Sequence, residues 1–263
     1  MLSNARAPKF DIARRAAARR FLMHRLAAGL RAALPQACVL CKAASGQALL
    51  CAACIEALPR IASPCPLCAL ASPAGQVCGA CLARPPPQAA TIAAWSYAFP
   101  VDRLLHAFKY GGRLALAEPF ADALVDAVTR RAGSVPDGVL ALPLAIARQR
   151  ARGFNQAQEI ARAVALRLAV PQMKGLRRIR DSRPQAGLAL DARARNVRHA
   201  FEAVSPFDGV SVAIVDDVMT TGATLAEAAA AVLRAGARRV EAWVVARTPP
   251  PGSASPQNPQ LPV

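Results

Sequence analysis

The sequence predicts an α/β protein, a parallel sheet wrapped by helices and preceded by a small module clamped by cysteines. Three observations predict it. From Gly138 onward, short apolar runs alternate with helical patterns, the rhythm of strand–helix–strand crossovers. Eight cysteines, all between Cys38 and Cys81, stand in two identically spaced sets. Between Val210 and Leu225, a buried-strand pattern meets two acids and a threonine–glycine turn before the next helical stretch.

Taken in order, the chain opens with a basic extension, residues 1–35. It carries Arg6, Lys9, Arg14, Arg15, Arg19, Arg20, Arg25 and Arg31 against Asp11 alone. An amphipathic helix with Phe21, Leu22, Leu26 and Leu30 on one side would touch DNA or a membrane surface. A disordered segment from a mistaken translation start is the open alternative. The cysteine module spans 36–86 and the α/β domain 90–247, and a Pro-, Ser- and Gln-rich tail, 248–263, is expected to be disordered. Strands are expected at Ala90–Phe99, Gly138–Leu142, Val212–Val215 and Val240–Ala246. Helices are expected at Val101–Tyr110, Pro119–Arg131, Asn155–Leu168 and Leu225–Ala235. The segment Asp181–Arg198, with little regular pattern, reads as a lid carrying Arg193 and Arg198.

Composition narrows the class. The chain has 263 residues, 54% of them hydrophobic, so a packed core is expected and global disorder is not. Its formal net charge of +17 favours polyanions without naming one. The longest apolar runs, Leu140–Ala147 and Ala226–Leu233, fall short of a membrane span, and the N-terminus has no signal-peptide core. A soluble, cytoplasmic protein is expected.

Cys38-x2-Cys41-x9-Cys51-x2-Cys54 recurs 27 residues later as Cys65-x2-Cys68-x9-Cys78-x2-Cys81. Such a duplication is poorly explained by chance. Two thiolates two residues apart can face one metal from a tight turn, and two such clips complete a tetrahedral sulfur site suited to Zn²⁺. Two structural zinc ions are therefore expected. A disulfide framework would need an oxidising compartment, and four tandem pairs exceed what redox chemistry needs. Sequential sharing of each metal is the simpler arrangement, and cross-braced sharing stays open.

In the Val210–Leu225 stretch, Asp216 and Asp217 follow the strand pattern, and Thr220-Thr221-Gly222-Ala223-Thr224 leads into the helix. Free N–H groups at a helix start make an anion site. Gly222 allows close backbone approach to a phosphate, and Thr220, Thr221 and Thr224 add hydroxyl donors. Acids beside a phosphate repel it unless they serve a sugar or a metal, so ribose hydroxyls or hydrated Mg²⁺ are expected between them.

This string resembles the phosphoribosyl diphosphate signature of type I phosphoribosyltransferases. Phe108-Lys109-Tyr110-Gly111-Gly112, Leu142-Pro143-Leu144, Arg150-Ala151-Arg152-Gly153-Phe154-Asn155-Gln156, Gln185-Ala186-Gly187-Leu188 and Arg193-Ala194-Arg195-Asn196-Val197 precede it in order. With the cysteine pairs, residues 36–247 resemble the ComF family, linked to competence for DNA uptake. The resemblance implies a type I phosphoribosyltransferase-like, doubly wound parallel sheet with a small N-terminal double zinc ribbon. It implies a pocket for 5-phosphoribosyl diphosphate, or a related ribose phosphate, with Mg²⁺. Asp216, Asp217 and Arg152 become the catalytic candidates. Thr220, Thr221, Gly222, Ala223, Thr224, Pro143, Lys109, Arg150 and Asn155 become substrate contacts, with Asn155 equally a candidate helix cap.

Two function classes follow. One is Mg²⁺-dependent phosphoribosyl transfer to a nitrogen acceptor, in DNA uptake or nucleotide salvage, with turnover itself left open. The other is a non-catalytic protein handling single-stranded DNA on the same scaffold, alongside other DNA-uptake proteins. The cysteine module offers only Lys42, Arg60 and Arg84 and no aromatic side chain, which argues against a stacking platform there.

Overall fold

The computed structural model describes residues 36–131, 133–180 and 199–250. The basic extension, the tail beyond Pro250 and the expected lid with Arg193 and Arg198 lie outside them. The described residues fall into two compact units, one ending at Glu56 and one beginning at Ala57. Among its described residues the smaller unit carries one short helix, α1 (Ala52–Glu56). The boundary therefore parts the two cysteine sets, and the second belongs to the larger unit.

The larger unit runs α2 (Gly79–Ala83), β1 (Ala90–Ser96), α3 (Val101–Tyr110), α4 (Ala117–Arg130), β2 (Gly138–Ala141), α5 (Ile146–Arg152) and α6 (Gln156–Leu168). It continues with β3 (Gln172–Met173), β4 (Leu176–Arg178), β5 (Phe201–Ala203), β6 (Ser211–Met219), α7 (Ala223–Arg234) and β7 (Arg239–Arg247). Five strands form one parallel sheet in the order β1-β7-β6-β2-β3, and β4 pairs antiparallel with β5. Val212–Val215 is fully buried, as expected for a strand covered on both faces.

The crossovers from β1 to β2 and from β2 to β3 travel one way across the sheet, and that from β6 to β7 travels the other. Because such crossovers are right-handed, opposite travel puts α7 on the face opposite α4 and α6. Accordingly α4 packs on α6, while α7 packs on the β4–β5 pair. Direction reverses between β2 and β6, and in open sheets of this kind ligands sit in the crevice at that reversal, outside the carboxyl ends of the strands.

The first face is sealed by aromatic rings. Phe120 of α4 meets Trp95 of β1 and Phe108 of α3 edge-on at 6.1 and 5.4 Å, and Phe108 meets Phe154 at 5.9 Å. Trp95, Phe108 and Phe120 are essentially inaccessible, and burying rings of this size is worth about 2–3 kcal/mol each. This core fixes α3, whose last turn delivers Lys109 to the crevice.

Candidate functional site

Each cysteine set closes on itself. The ligand atoms of Cys38, Cys41, Cys51 and Cys54 lie within 4.8 Å of one another, as do those of Cys65, Cys68, Cys78 and Cys81. Sharing is therefore sequential, not cross-braced. The sulfurs of Cys41 and Cys51, and of Cys68 and Cys78, stand 3.6 Å apart. A tetrahedron with Zn–S bonds of about 2.3 Å has edges of about 3.8 Å, so both sets fit Zn²⁺. None of the eight cysteines is disulfide-bonded. Burial alone would raise the Cys38 and Cys65 thiols, but neighbouring backbone N–H groups outweigh it and hold them down to about 6 and about 7. Cys78 N–H, for example, donates to the Cys65 sulfur at 3.4 Å.

The crevice at the direction reversal is a cavity of about 390 Å³. Leu142, Pro143 and Leu144, leaving β2, line one side, and Asp216, Asp217, Val218, Thr220 and Thr224 line the other. β2 pairs with β6 only as far as Val215, whereas β6 stays paired with β7 to Met219. The acid pair therefore lies on the stretch of β6 that β2 leaves uncovered. The sequence reading put these acids after the strand; the strand runs on through them because β7 is long enough to pair with them.

Asp217 is buried and its carboxylate pairs with Lys109 Nζ at 2.9 Å. Asp216 accepts the N–H of Asp217 at 2.8 Å. Burial, with the Asp217 charge adding to it, pushes the Asp216 carboxyl up to about 8. Among the described residues one lysine is paired with this acid pair, and a ribose diol or a divalent cation supplies the donors or positive charge that crowded carboxylates take. Beyond it the chain turns at Gly222, whose φ of +84° is left-handed and suits glycine. Gly222 caps α7, and the Thr221 hydroxyl accepts the Ala223 N–H at 3.3 Å. Thr220 and Thr224, on either side of this turn, line the crevice, and the first amides of a helix favour anions.

Comparison with known proteins agrees with this architecture. The double zinc ribbon domain matches residues 29–82, and the phosphoribosyl transferase domain matches residues 115–256, more than half the chain. The DNA utilization protein YhgH of Salmonella typhi is 35% identical over 168 residues, covering 62% of this chain and 74% of the relative. Competence protein F of Haemophilus influenzae is 31% identical over 159 residues, covering 57% and 69%. The chain belongs to the ComF family of phosphoribosyl transferase domain proteins. Among solved structures, the glutamine phosphoribosylpyrophosphate amidotransferase of B. subtilis is 18% identical over 53% of this chain and 30% of that one. Its TM-score of 0.36 is too low to carry weight.

In this ComF chain the residues singled out from sequence separate into groups. Asp216, Asp217, Thr220, Thr224, Pro143, Lys109, Arg152 and Asn155 all line the crevice. Thr221, Gly222 and Ala223 shape the turn beside it. Arg150 does not line it; it is exposed, and the neighbouring cation on the crevice wall is Arg148. Helix α5 explains the difference, since residues two apart on a helix point away from each other. Arg152 is braced, donating to the Tyr110 hydroxyl at 2.9 Å and to Gln156 Oε1 at 3.1 Å, its guanidinium 5.0 Å above the Tyr110 ring. Asn155 spends its amide on structure. Its Oδ1 caps α6 by accepting the Ala157 N–H at 3.1 Å, and its Nδ2 holds the Leu142 carbonyl at 3.0 Å. Arg148, Arg178, Tyr97 and Thr248 also line the crevice and were not foreseen. Tyr97 and Thr248 follow the aligned ends of β1 and β7, where Ser96 stands opposite Arg247, a register no local pattern reveals.

Proposed function

We propose that this ComF-family chain binds 5-phosphoribosyl diphosphate in the crevice between β2 and β6. The observation that carries the reading is the order of groups along one segment: an acid pair on uncovered strand, then a glycine-turned cradle of helix amides and threonine hydroxyls. The cradle takes the 5-phosphate. Asp216 and Asp217 accept hydrogen bonds from the ribose hydroxyls, which relieves the crowding of two carboxylates. The diphosphate lies toward Leu142–Leu144, where Arg148 and Arg152 approach and Asn155 holds the loop in place.

Mg²⁺ would arrive with the diphosphate, with Asp216 and Asp217 as the chain's oxygen donors toward it, and would supply charge neutralisation on the leaving group. The arginines add fixed positive charge on the same side, and Lys109 holds Asp217 in place. The reaction class is transfer of the phosphoribosyl group to a nitrogen nucleophile with release of diphosphate. Relatives are named DNA utilization protein YhgH and Competence protein F, which supports a setting in DNA utilization or uptake for this chain.

Thermal stability in a ligand series tests which part of the molecule is recognised. A ligand bound only by the folded state raises Tm according to its concentration over its Kd. The diphosphate with Mg²⁺ is expected to raise Tm most, ribose 5-phosphate less, and free ribose not at all. Equal effects from ribose 5-phosphate and unrelated sulfate would overturn the proposed recognition of the sugar.

A further inference from the structure

A loop that turns its N–H groups toward an anion turns carbonyls the other way, into the protein, where they need donors. Here the donor is Arg247, the last residue of β7. Its Nη1 donates to the carbonyls of Met219 at 3.0 Å, Thr220, and Thr248 at 2.9 Å, so it grips the chain where β6 becomes the cradle. Its Nε donates to the Cys68 carbonyl at 2.8 Å. Cys68 is a ligand-forming residue of the second cysteine tetrad.

Arg247 is 5% exposed, and among the described residues no carboxylate is paired with it. A buried guanidinium is costly unless its charge is met. Burial pushes the Arg247 guanidinium down and the Cys68, Cys81 and Cys78 sulfurs act against that; four thiolates on Zn²⁺ would carry a net charge of −2. Two more sheet contacts fix the same knuckle. Thr91 N–H donates to the Pro66 carbonyl at 2.9 Å, and the Thr91 hydroxyl donates to the Leu67 carbonyl at 2.6 Å. Three successive carbonyls of the Cys65–Cys68 turn are thus held by β1 and β7.

We infer that Arg247 is a positioning residue of the anion cradle, and that through it the second cysteine tetrad sets the cradle's shape. The inference rests on the phosphate reading of the crevice for its functional meaning, and on geometry alone for the mechanical link. Arginine is required because a planar fork reaches carbonyls on two sides at once, which a lysine ammonium on a flexible stem does not hold in place.

Hydrogen exchange on the full-length, zinc-loaded chain tests the link without any ligand, with zinc content measured in parallel. In Arg247→Lys both zinc ions are expected to remain, while amide protection within residues 219–226, read at Ala226, whose N–H donates to the Gly222 carbonyl, falls about tenfold or more, the scale of one lost charge-assisted hydrogen bond. Protection of α4 serves as the internal reference and stays unchanged. Cys78→Ser is expected to lose one zinc and to loosen the same residues. Should that variant fail to fold, Arg247→Lys decides alone. Unchanged protection over 219–226 in Arg247→Lys overturns the link. Titration with 5-phosphoribosyl diphosphate and Mg²⁺ then separates the two claims. Loosened amides with a wild-type chain that binds nothing would sustain the link and sink the ligand, and ligand binding with rigid amides would do the reverse.

Discussion

The two cysteine tetrads share one spacing and differ in what their turns hold. In the first, residues 36–49 bond among themselves: Gln36 N–H donates to Gly46, Cys38 N–H to Ala43 and Val39 N–H to Leu49. In the second, the carbonyls of Pro66, Leu67 and Cys68 are given to Thr91 and Arg247 of the large sheet. The first tetrad's turn is bonded within residues 36–49, and the second is a clip built into the large sheet's own unit. A duplicated metal motif thus serves two purposes, and the difference lies in side chains far away in sequence, not in the cysteines.

The largest expected effect comes from breaking the second clip. Structural zinc in small modules is worth about 10–16 kcal/mol of binding, much of which becomes folding energy. Cys65→Ser with Cys68→Ser is expected to lower Tm of the large unit severely or to leave the chain insoluble, whereas Cys38→Ser with Cys41→Ser removes one zinc and leaves the main calorimetric transition in place. Equal losses from the two pairs would erase the contrast. Arg247→Met comes next. It leaves buried carbonyls without donors at about 1–3 kcal/mol each, so a loss of several kcal/mol is expected in denaturant unfolding. Asn155→Ala removes both a helix cap and the tie to Leu142, and a loss of about 1–2 kcal/mol is expected by the same measurement.

A pH-dependent test sharpens the electrostatics of the crevice. The folded protein holds the Asp216 carboxyl at about 8 against an ordinary 3.8. A raised value means that the folded state keeps a proton the unfolded chain gives up, so stability from this group is present below about pH 4 and is lost as pH rises toward 8. The stability of unliganded wild type, measured against Asp216→Asn, is therefore expected to fall between those limits. A difference that does not vary with pH would contradict the crowded-acid description.

Much of this architecture was legible because local pattern and tertiary role coincided. Helix α3 occupies the expected Val101–Tyr110, and the core of β6 is the expected Val212–Val215, since a strand buried on both faces must read as an unbroken apolar run. The metal tetrads were legible because ligand chemistry dictates spacing. Other features lack a local signature. Strand β3 is two residues long, and α5, with the sequence Ile-Ala-Arg-Gln-Arg-Ala-Arg, offers no apolar stripe, so the choice between Arg148 and Arg150 could not be made from spacing. The role of Arg247 was hidden most completely. A charged residue ending a strand ordinarily points to solvent, and only the packed structure shows four carbonyls around it.

The central claim is that uncovered acids and a helix-amide cradle together make a site for a phosphorylated ribose. Calorimetric titration of 5-phosphoribosyl diphosphate with Mg²⁺ into zinc-loaded full-length protein, beside an Asp216→Asn/Asp217→Asn variant, tests it most directly. Saturable binding by the wild type, lost in the folded variant, is the predicted result. No binding by a folded, zinc-replete wild type, or equal binding by both proteins, would contradict it.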